Sequence, residues 1–356
     1  MAPGSTASIP PEVTDALRTV IAEAGITHDQ DLIARILATG VGLGLDDSDR
    51  LDLKITSAAL TEMRAAFQLF APFRGVPKVT VFGSARTKPE SMLYRQASGV
   101  AQALAERGWM VVTGAGPGIM QAAAEGAGPE RSLGVSIRLP FEEKPNAVIA
   151  ASANNVAMKY FFTRKLMLVK ESRGFVCVPG GFGTLDEMFE LLTLQQTGKA
   201  DPTPIVLLDE PGGTFWAAFR RYVDDHLIPA GVISPDDFDR VLVTDSVTAA
   251  ADEITGFWRN YDSLRWVGKR LVLRLRAEPT DAELESLNER FAHLVTKGRI
   301  ERTGPRKPEV ADDDRIDLPR IIMYYDQFRV GELFHLIRAI NEFDSAPPAT
   351  PPDPHA

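Results

Sequence analysis

The sequence predicts an α/β protein built around a parallel β-sheet that helices cover on both faces. From Val76 onward, short apolar runs alternate with longer amphipathic stretches. Such alternation is typical of βαβ units, in which a helix returns the chain to the start of the next parallel strand. Three of the runs end in the glycine-rich turns GSA, GAGPG and PGGFGT, and in this architecture ligands bind at the carboxyl ends of the strands. The sequence therefore predicts a Rossmann-like doubly wound sheet with one pocket at these turns.

The elements of this central region, residues 76–261, follow one another in a regular order. Strands are predicted at VTVFG, WMVVTG, LGVSI, GFVCVPG, PIVLLD and RVLVTD. Helices are predicted where apolar residues recur three or four positions apart, at SMLYRQASGVAQALAERG, GIMQAAAEGA, VAMKYFFTRKLMLVKES, TLDEMFELLTLQQTG, TFWAAFRRYVDDHL and TAAADEITGFW. We expect this region to form the ligand-binding domain.

The flanking segments have different patterns. Residues 1–75 carry three stretches with helical periodicity and predict an N-terminal helical extension, which the helix breakers of APFRGVP separate from the first strand. Residues 262–343 predict a small α+β appendage, with strand RLVLRLR, a helix, the short basic segment RIERTG, strand RIIMYY and a final helix. The proline-rich residues 344–356 predict a disordered tail. Because the flanking segments have patterns of their own, we expect them to regulate the central domain or to build an oligomer.

Composition and charge exclude several classes of function. The chain has 356 residues, 44% of them hydrophobic, which is typical of a globular protein. Its formal charge of −9 predicts neither nucleic acid nor a membrane surface as partner, so an anionic ligand must be bound locally. The N-terminal residues lack the pattern of a signal peptide, and we expect a cytoplasmic protein. With one cysteine, Cys177, and five scattered histidines, we expect no disulfide, no metal and no cofactor.

The turn TGAGPGIM follows a strand and opens a helix. In that position, backbone N–H groups and the helix dipole attract phosphate, and the candidate binding residues are Gly114, Gly116 and Gly118. The spacing departs from the dinucleotide fingerprint, because its third glycine would fall at Gln121. This argues against a dehydrogenase. A tight turn that simply requires small residues is the alternative interpretation.

The turn PGGFGT is more specific, because a helix begins directly after it. Its glycines permit close approach of a phosphate to the helix N-terminus, and the candidate binding residues are Gly180, Gly181, Gly183 and Thr184. Two carboxylates, Asp186 and Glu187, follow within the first turn. Acidic residues there also stabilise a helix through its dipole, which is the structural alternative. A carboxylate beside a bound phosphate is repelled, however, so we expect one of them, Glu187, to have a chemical role.

A basic pair, Arg164 and Lys165, lies on the preceding helix. Basic pairs are commonly solvated, but this helix is apolar nearly all round, which predicts burial between other elements. A buried arginine requires an anionic partner.

Taken together, VFGSAR, GAGPGIMQAAAEGA, KYFFTRKLMLVKES and FVCVPGGFGTLDEMFELLTLQQTGK resemble the LOG (Lonely Guy) family. That family carries an Arg-Lys pair on one helix and PGGxGTxxE on the next. Gly180 to Glu187 match the second motif at every fixed position, whereas Phe161 stands where the first motif usually has methionine. Members were long labelled lysine decarboxylases, but no residue here marks a Schiff-base lysine in a cofactor pocket. The resemblance covers residues 76 to 260.

The resemblance implies hydrolysis of the N-glycosidic bond of a nucleoside 5′-monophosphate to free base and ribose 5-phosphate. It implies that Arg164 and Glu187 are catalytic, that the nucleotide lies near Gly83 and Ser84, and that the protein assembles at least as a dimer. We also expect Lys165 to bind the substrate. In chemical terms, Glu187 would stabilise an oxocarbenium-like state and activate water, and Arg164 would hold Glu187 ionised.

Several alternatives stay open on the sequence alone. A non-catalytic nucleotide sensor or carrier could use the same fold, although the presence of both Arg164 and Glu187 argues against it. Single-strand DNA binding would need a basic groove with aromatic residues, which the acidic balance disfavours. The substrate could be a cytokinin riboside monophosphate, AMP, GMP or a pyrimidine nucleotide. Arg86 could contact the ligand or solvent, and the same holds for Glu125.

Overall fold

The computed structural model describes residues 9–138, 145–327 and 329–348, and the chain divides into two compact units. The first unit is Met1–Arg64 and the second is Ala65–Ala356. The boundary between the units therefore lies within the last helix of the predicted N-terminal extension, eleven residues before the predicted boundary at residues 75 and 76.

The N-terminal part of the chain is helical, as its periodicity indicates. Its helices are α1 (Pro11–Glu23), α2 (Gln30–Leu45) and α3 (Arg50–Phe70). A proline in the first turn of α1 suits a helix start, because its missing N–H has no helical partner there. The Asp49 carboxylate accepts hydrogen bonds from the backbone N–H groups of Leu51 and Asp52 at 2.6 and 2.9 Å, which satisfies two free donors at the start of α3.

The centre of the second unit is a seven-stranded sheet in which every pair of neighbours is parallel. Its strands are β1 (Lys78–Phe82), β2 (Met110–Thr113), β3 (Ser132–Ile137), β4 (Asn155–Met158), β5 (Phe175–Cys177), β6 (Ile205–Leu208) and β7 (Val241–Thr244). They lie in the order β4-β3-β2-β1-β5-β6-β7. The Rossmann-like doubly wound fold predicted from the sequence is therefore confirmed. The strand order reverses between β1 and β5, and such a reversal opens a crevice at the carboxyl ends of the strands.

Helices connect the strands of this sheet. They are α4 (Met92–Glu106), α5 (Ile119–Ala127), α6 (Ala147–Ala150), α7 (Phe161–Lys170), α8 (Phe182–Gln196), α9 (Phe215–Tyr222) and α10 (Val247–Gly256). One prediction differs from the structure, because VAMK was assigned to the start of a helix and instead belongs mostly to β4. This short strand pairs with β3 at the edge of the sheet, so that tertiary pairing overrides the local helical pattern.

A second sheet, of four antiparallel strands, forms most of the predicted appendage. Its strands are β8 (Tyr261–Val267), β9 (Arg270–Leu275), β10 (Val295–Arg302) and β11 (Arg320–Tyr325), in the order β10-β11-β9-β8. Helices α11 (Asp281–Arg290), α12 (Lys307–Ala311) and α13 (Val330–Asn341) accompany them. The predicted basic segment RIERTG lies largely in β10, an edge strand whose exposed, charged residues conceal the strand pattern.

The appendage shares one hydrophobic core with the parallel sheet. Phe257 and Trp258, after α10, pack with Tyr261 of β8 and Phe334 of α13. Of the predicted tail, residues 344–348 are described, and Arg259 donates to the carbonyl oxygen of Pro347 at 2.8 Å. Residues 349–356 of that tail lie outside the described part. No described helix is both long and apolar enough to cross a membrane.

Candidate functional site

A cavity of about 660 Å³ lies at the carboxyl ends of β1, β2 and β5. Its wall is formed by residues 83–86 after β1, by Gly114 after β2, by residues 181–187 after β5, and by Arg164 of α7. Of the predicted site residues, the wall includes Gly83, Ser84, Gly114, Arg164, Gly181, Gly183, Thr184 and Glu187. The cavity therefore lies at the crevice where the strand order reverses.

The turns after β1 and β5 touch each other behind this wall. A Cβ atom on Gly180 would lie 2.2 Å from the Thr184 hydroxyl and 3.0 Å from the backbone nitrogen of Ser84. Real Cβ atoms essentially never come within 2.2 Å of another atom, and 3.0 Å is tighter than most of their contacts, so glycine suits this position. Gly180 thus lies behind the cavity wall and holds its two turns together.

Two other predicted binding glycines also shape the site from behind. Gly118 has a positive φ of 67°, and a Cβ there would lie 2.3 Å from the Ser84 carbonyl oxygen. A Cβ on Gly116 would lie 2.7 Å from the methyl carbon of Met120. Neither residue lies on the cavity wall, so the structure places them as packing positions of the turn after β2, and the wall there is formed by Gly114 and Met120.

The N-terminus of α8 opens onto the cavity. Gly181 is the residue before the helix, and Phe182, Gly183 and Thr184 form its first turn. The first N–H groups of an α-helix have no partner within the helix, and the helix dipole makes this end positive. This end of α8 therefore offers backbone donors to an anion.

Arg164 of α7 is held between the backbone at Val135 and the backbone at Gly114. Its Nε donates a hydrogen bond to the carbonyl oxygen of Val135 at 2.9 Å. Its guanidinium also covers Gly114, where a Cβ would lie 2.0 Å from the Nη2 atom of Arg164. Glycine at position 114 thus provides the space that the guanidinium fills.

Glu187 of α8 is buried, with 7% of its surface exposed. Its Oε2 atom has no hydrogen-bond partner within the part of the chain that the structure describes. Burial raises the pKa of Glu187 to about 7, although Lys165 and Arg164 oppose this shift. The expectation that Arg164 holds this carboxyl ionised therefore needs correction, because desolvation outweighs the nearby positive charge. At neutral pH, Glu187 is divided between its protonated and ionised forms.

The lysine of the basic pair does not lie on the cavity wall. Lys165 forms ion pairs with Asp186 at 2.9 Å and with Glu190 at 2.6 Å, one residue before and three residues after Glu187. Burial lowers the pKa of Lys165, but the hydrogen bonds that its ammonium donates to Glu190 and Asp186 outweigh burial and raise the pKa overall. Lys165 thus ties α7 to α8 and positions Glu187, instead of contacting the cavity as predicted.

Arg86 and Glu125, for which the sequence left both a ligand contact and a solvent contact open, differ in their positions. Arg86 lies on the cavity wall. Glu125 does not, because its carboxylate accepts hydrogen bonds from the Tyr94 hydroxyl at 2.7 Å and from Gln121 at 2.8 Å. The sequence reasoning missed Glu190, which lies one helical turn after Glu187 and could have been found from that spacing.

Helix α7 is less buried than its composition indicates. Phe161, Phe162 and Leu166 are 54%, 55% and 46% exposed, and the neighbouring Phe182 is 92% exposed. The prediction that this helix is buried between other elements therefore does not hold for this face. We call these four side chains the apolar rim: Phe161 and Phe182 line the cavity, and Phe162 and Leu166 lie on the same helix as Phe161.

Comparison with known proteins gives three related findings. A family model described as "Possible lysine decarboxylase" matches residues 118–254. A "Cytokinin riboside 5'-monophosphate phosphoribohydrolase" of Mycobacterium tuberculosis is 31% identical over 44% of this chain and 83% of its own length. A protein of the same name from Mycobacterium marinum is 29% identical over 47% of this chain and 87% of its own length.

Two solved structures match this chain at lower identity. A molybdenum cofactor binding protein from Rippkaea orientalis is 20% identical, with a TM-score of 0.36, over 49% of this chain and 91% of its own. A molybdenum cofactor carrier protein from Chlamydomonas reinhardtii is 21% identical, with a TM-score of 0.34, over 49% of this chain and 94% of its own.

Proposed function

Because this chain belongs to the LOG family, we propose that it hydrolyses the N-glycosidic bond of a purine nucleoside 5′-monophosphate. The products are the free base and ribose 5-phosphate. The observation that carries the proposal is the buried Glu187 carboxyl with a pKa of about 7, beside the open N-terminus of α8. The relatives' names support the reaction class, and a cytokinin-type N6-modified adenine or plain adenine is the base we infer from them.

In this proposal, the 5′-phosphate binds the N-terminus of α8. The backbone N–H groups of Gly183 and Thr184 and the Thr184 hydroxyl are its donors, and the helix dipole adds attraction. Binding energy from this remote group then holds the sugar in place for the reaction. The apolar side chains of Met120 and Phe161 on the cavity wall suit the flat face of a purine.

Glu187 supplies the chemistry at the sugar. Cleavage of an N-glycosidic bond develops positive charge on the ribose, which an ionised carboxylate stabilises. A carboxylate with a pKa near the operating pH is also an effective proton acceptor for the attacking water. Arg164, which lowers the pKa of Glu187, favours the ionised form of this carboxyl and contacts the bound ribose phosphate.

The reaction is tested by incubating the protein with AMP, GMP, N6-isopentenyl-AMP, CMP and UMP, and by quantifying base and ribose 5-phosphate chromatographically. We expect equal amounts of both products from the purine nucleotides. Nucleotide binding without any release of base would contradict hydrolysis and would favour a nucleotide carrier.

The substitution Gly114→Ala tests the placement of Arg164. The added Cβ would overlap the guanidinium and lie 2.9 Å from the Met120 sulfur, and both groups are ends of flexible side chains that can move without disturbing the fold. We expect kcat/KM for AMP to fall about 10²-fold, since misplacement by about 1 Å has effects of that order. The matched control is Gly256→Ala, whose Cβ meets no atom within 4 Å. Equal activity of both variants would show that the position of Arg164 is unimportant.

We also infer that a second copy of the chain covers the apolar rim. Four large apolar side chains, two of them on the cavity wall, are an unusual exposed surface, and association would remove them from water. Sedimentation velocity should give the mass of a dimer or larger assembly for the wild type, and a smaller mass for Phe162→Asp. The control Val232→Asp alters an apolar residue that is 64% exposed elsewhere and should keep the wild-type mass. Unchanged assembly of Phe162→Asp would refute this interface.

A further inference from the structure

A second, larger cavity of about 1010 Å³ lies at the opposite end of the parallel sheet. Lys78 is the first residue of β1, Trp109 directly precedes β2, and Arg173 lies two residues before β5. The appendage closes the cavity through Arg276 and Arg315. The cavity therefore lies at the amino ends of strands whose carboxyl ends form the proposed catalytic site.

Positive charge dominates the wall of this cavity. Eight cationic and three acidic side chains line it, an excess of five positive charges, whereas the whole chain carries −9. Each acidic side chain already has a cationic partner at 2.6 Å, in the pairs Glu171–Lys170, Asp252–Arg107 and Asp262–Arg315. The remaining five cations are Arg74, Lys78, Arg173, Arg259 and Arg276. The composition of the chain does not account for such a concentration of one charge.

Some of these cations are held in place by neighbouring groups. The guanidinium of Arg173 lies 4.9 Å from the centre of the Trp258 ring, and the Trp258 indole donates to the Arg173 carbonyl oxygen at 2.7 Å. The Lys78 ammonium is buried and donates to the carbonyl oxygens of Phe73 and Val76. Within the described ranges, Arg74, Arg173 and Arg276 form no ion pair with a carboxylate. These positive charges are thus assembled without a matching number of anions.

Burial and mutual repulsion make this arrangement costly for the protein alone. Burial lowers the pKa of Arg173, and Asp262 opposes this shift, whereas the charges of Arg315 and Arg276 add to it. Burial likewise lowers the pKa of Lys78. Only Lys78 of the five excess cations is fully buried, but like charges that line one cavity repel one another, so an excess of this kind indicates a site that an anion completes.

We infer that this cavity binds a small, multiply phosphorylated molecule. Its volume is at the upper end of the range of small-ligand sites, and five excess positive charges match several phosphate groups better than one. Arginine forks bind phosphate oxygens in pairs, and five arginines besides Arg259 line the cavity. A nucleic acid would need an extended basic surface, whereas these cations surround one cavity in an acidic chain. The inference is independent of the proposed hydrolysis, because the two cavities lie at opposite ends of β1.

Titration calorimetry with inorganic tripolyphosphate tests this inference on the full chain. The test variant is Arg74→Ala/Arg276→Ala, which removes two exposed side chains and leaves the buried cations in place. We expect the wild type to bind tripolyphosphate more tightly than orthophosphate. The double variant should bind tripolyphosphate at least tenfold more weakly and keep the wild-type melting temperature. The control Arg299→Ala, which removes an exposed arginine of β10, should bind within twofold of the wild type.

A competition experiment distinguishes tripolyphosphate binding in this cavity from binding in the proposed catalytic cavity. Saturating ribose 5-phosphate should leave the Kd for tripolyphosphate unchanged. Displacement of tripolyphosphate by ribose 5-phosphate would place it in the other cavity and overturn the inference. Absence of tripolyphosphate binding, equal binding of orthophosphate, or equal affinity of the double variant and Arg299→Ala would overturn it as well.

Discussion

The substitution Glu187→Gln is expected to lower kcat for base release by about 10³-fold and to change nucleotide affinity only slightly. Glutamine keeps the size of the side chain but can neither carry the negative charge that stabilises the sugar cation nor accept a proton from water. The phosphate contacts at the start of α8 are unaffected, so binding should persist. Stopped assays of adenine release from AMP, together with calorimetry of AMP binding, separate these two effects.

A matched control for this experiment is Glu289→Gln. Glu289 is an exposed glutamate on α11, in the appendage, so its replacement changes the same charge far from the sheet crevice. The control should keep wild-type kcat. A Glu187→Gln protein with more than a tenth of the wild-type kcat would remove this residue from the chemical step.

The same substitution should stabilise the folded protein at alkaline pH. A pKa raised from 4.5 to about 7 means that the native state binds more protons than the unfolded state in that window. Native stability therefore falls as pH rises from about 4.5 to about 7, by roughly 3 kcal/mol, because the buried carboxyl is forced to ionise. Glutamine is neutral at every pH and lacks this loss.

Thermal unfolding of both proteins at pH 5 and at pH 8 measures this difference. At pH 5 both buried side chains are neutral, so the melting temperatures should be close. At pH 8 the Glu187→Gln protein should melt several degrees higher than the wild type. A difference in melting temperature that does not change with pH would mean that Glu187 ionises in the native state much as it does in water.

The central fold could be read from the sequence because its strands are short, apolar and separated by long amphipathic helices. The turns GSA, GAGPG and PGGFGT were placed at strand ends by pattern alone, and the structure brings all three to one cavity. The missed strands are those whose pattern depends on neighbours. Asn155–Met158 is short and lies at a sheet edge, Tyr261–Val267 is also an edge strand, and Val295–Arg302 is charged and exposed.

Most of the residues predicted for the site line the cavity, whereas Gly116, Gly118, Gly180 and Lys165 do not, and the electrostatics of the site could not be predicted. The motif PGGFGT with its following carboxylates singled out Glu187, yet its burial depends on how α7 and α8 pack, which no local pattern records. The ion pairs of Lys165 with Asp186 and Glu190 depend on the same packing of α7 and α8. The basic cavity could not be predicted at all, because Lys78, Arg173 and Arg276 are far apart in the chain and meet only when the appendage packs on the sheet.

The most direct test of the account compares AMP with adenosine as substrates of the wild-type protein. The account holds that a 5′-phosphate bound at the start of α8 positions the ribose beside Glu187, so that phosphate binding contributes to the reaction itself. We predict that kcat/KM for adenine release is at least about 10³-fold higher for AMP than for adenosine. Equal values for the two substrates would show that the N-terminus of α8 does not bind the substrate phosphate and would contradict the account.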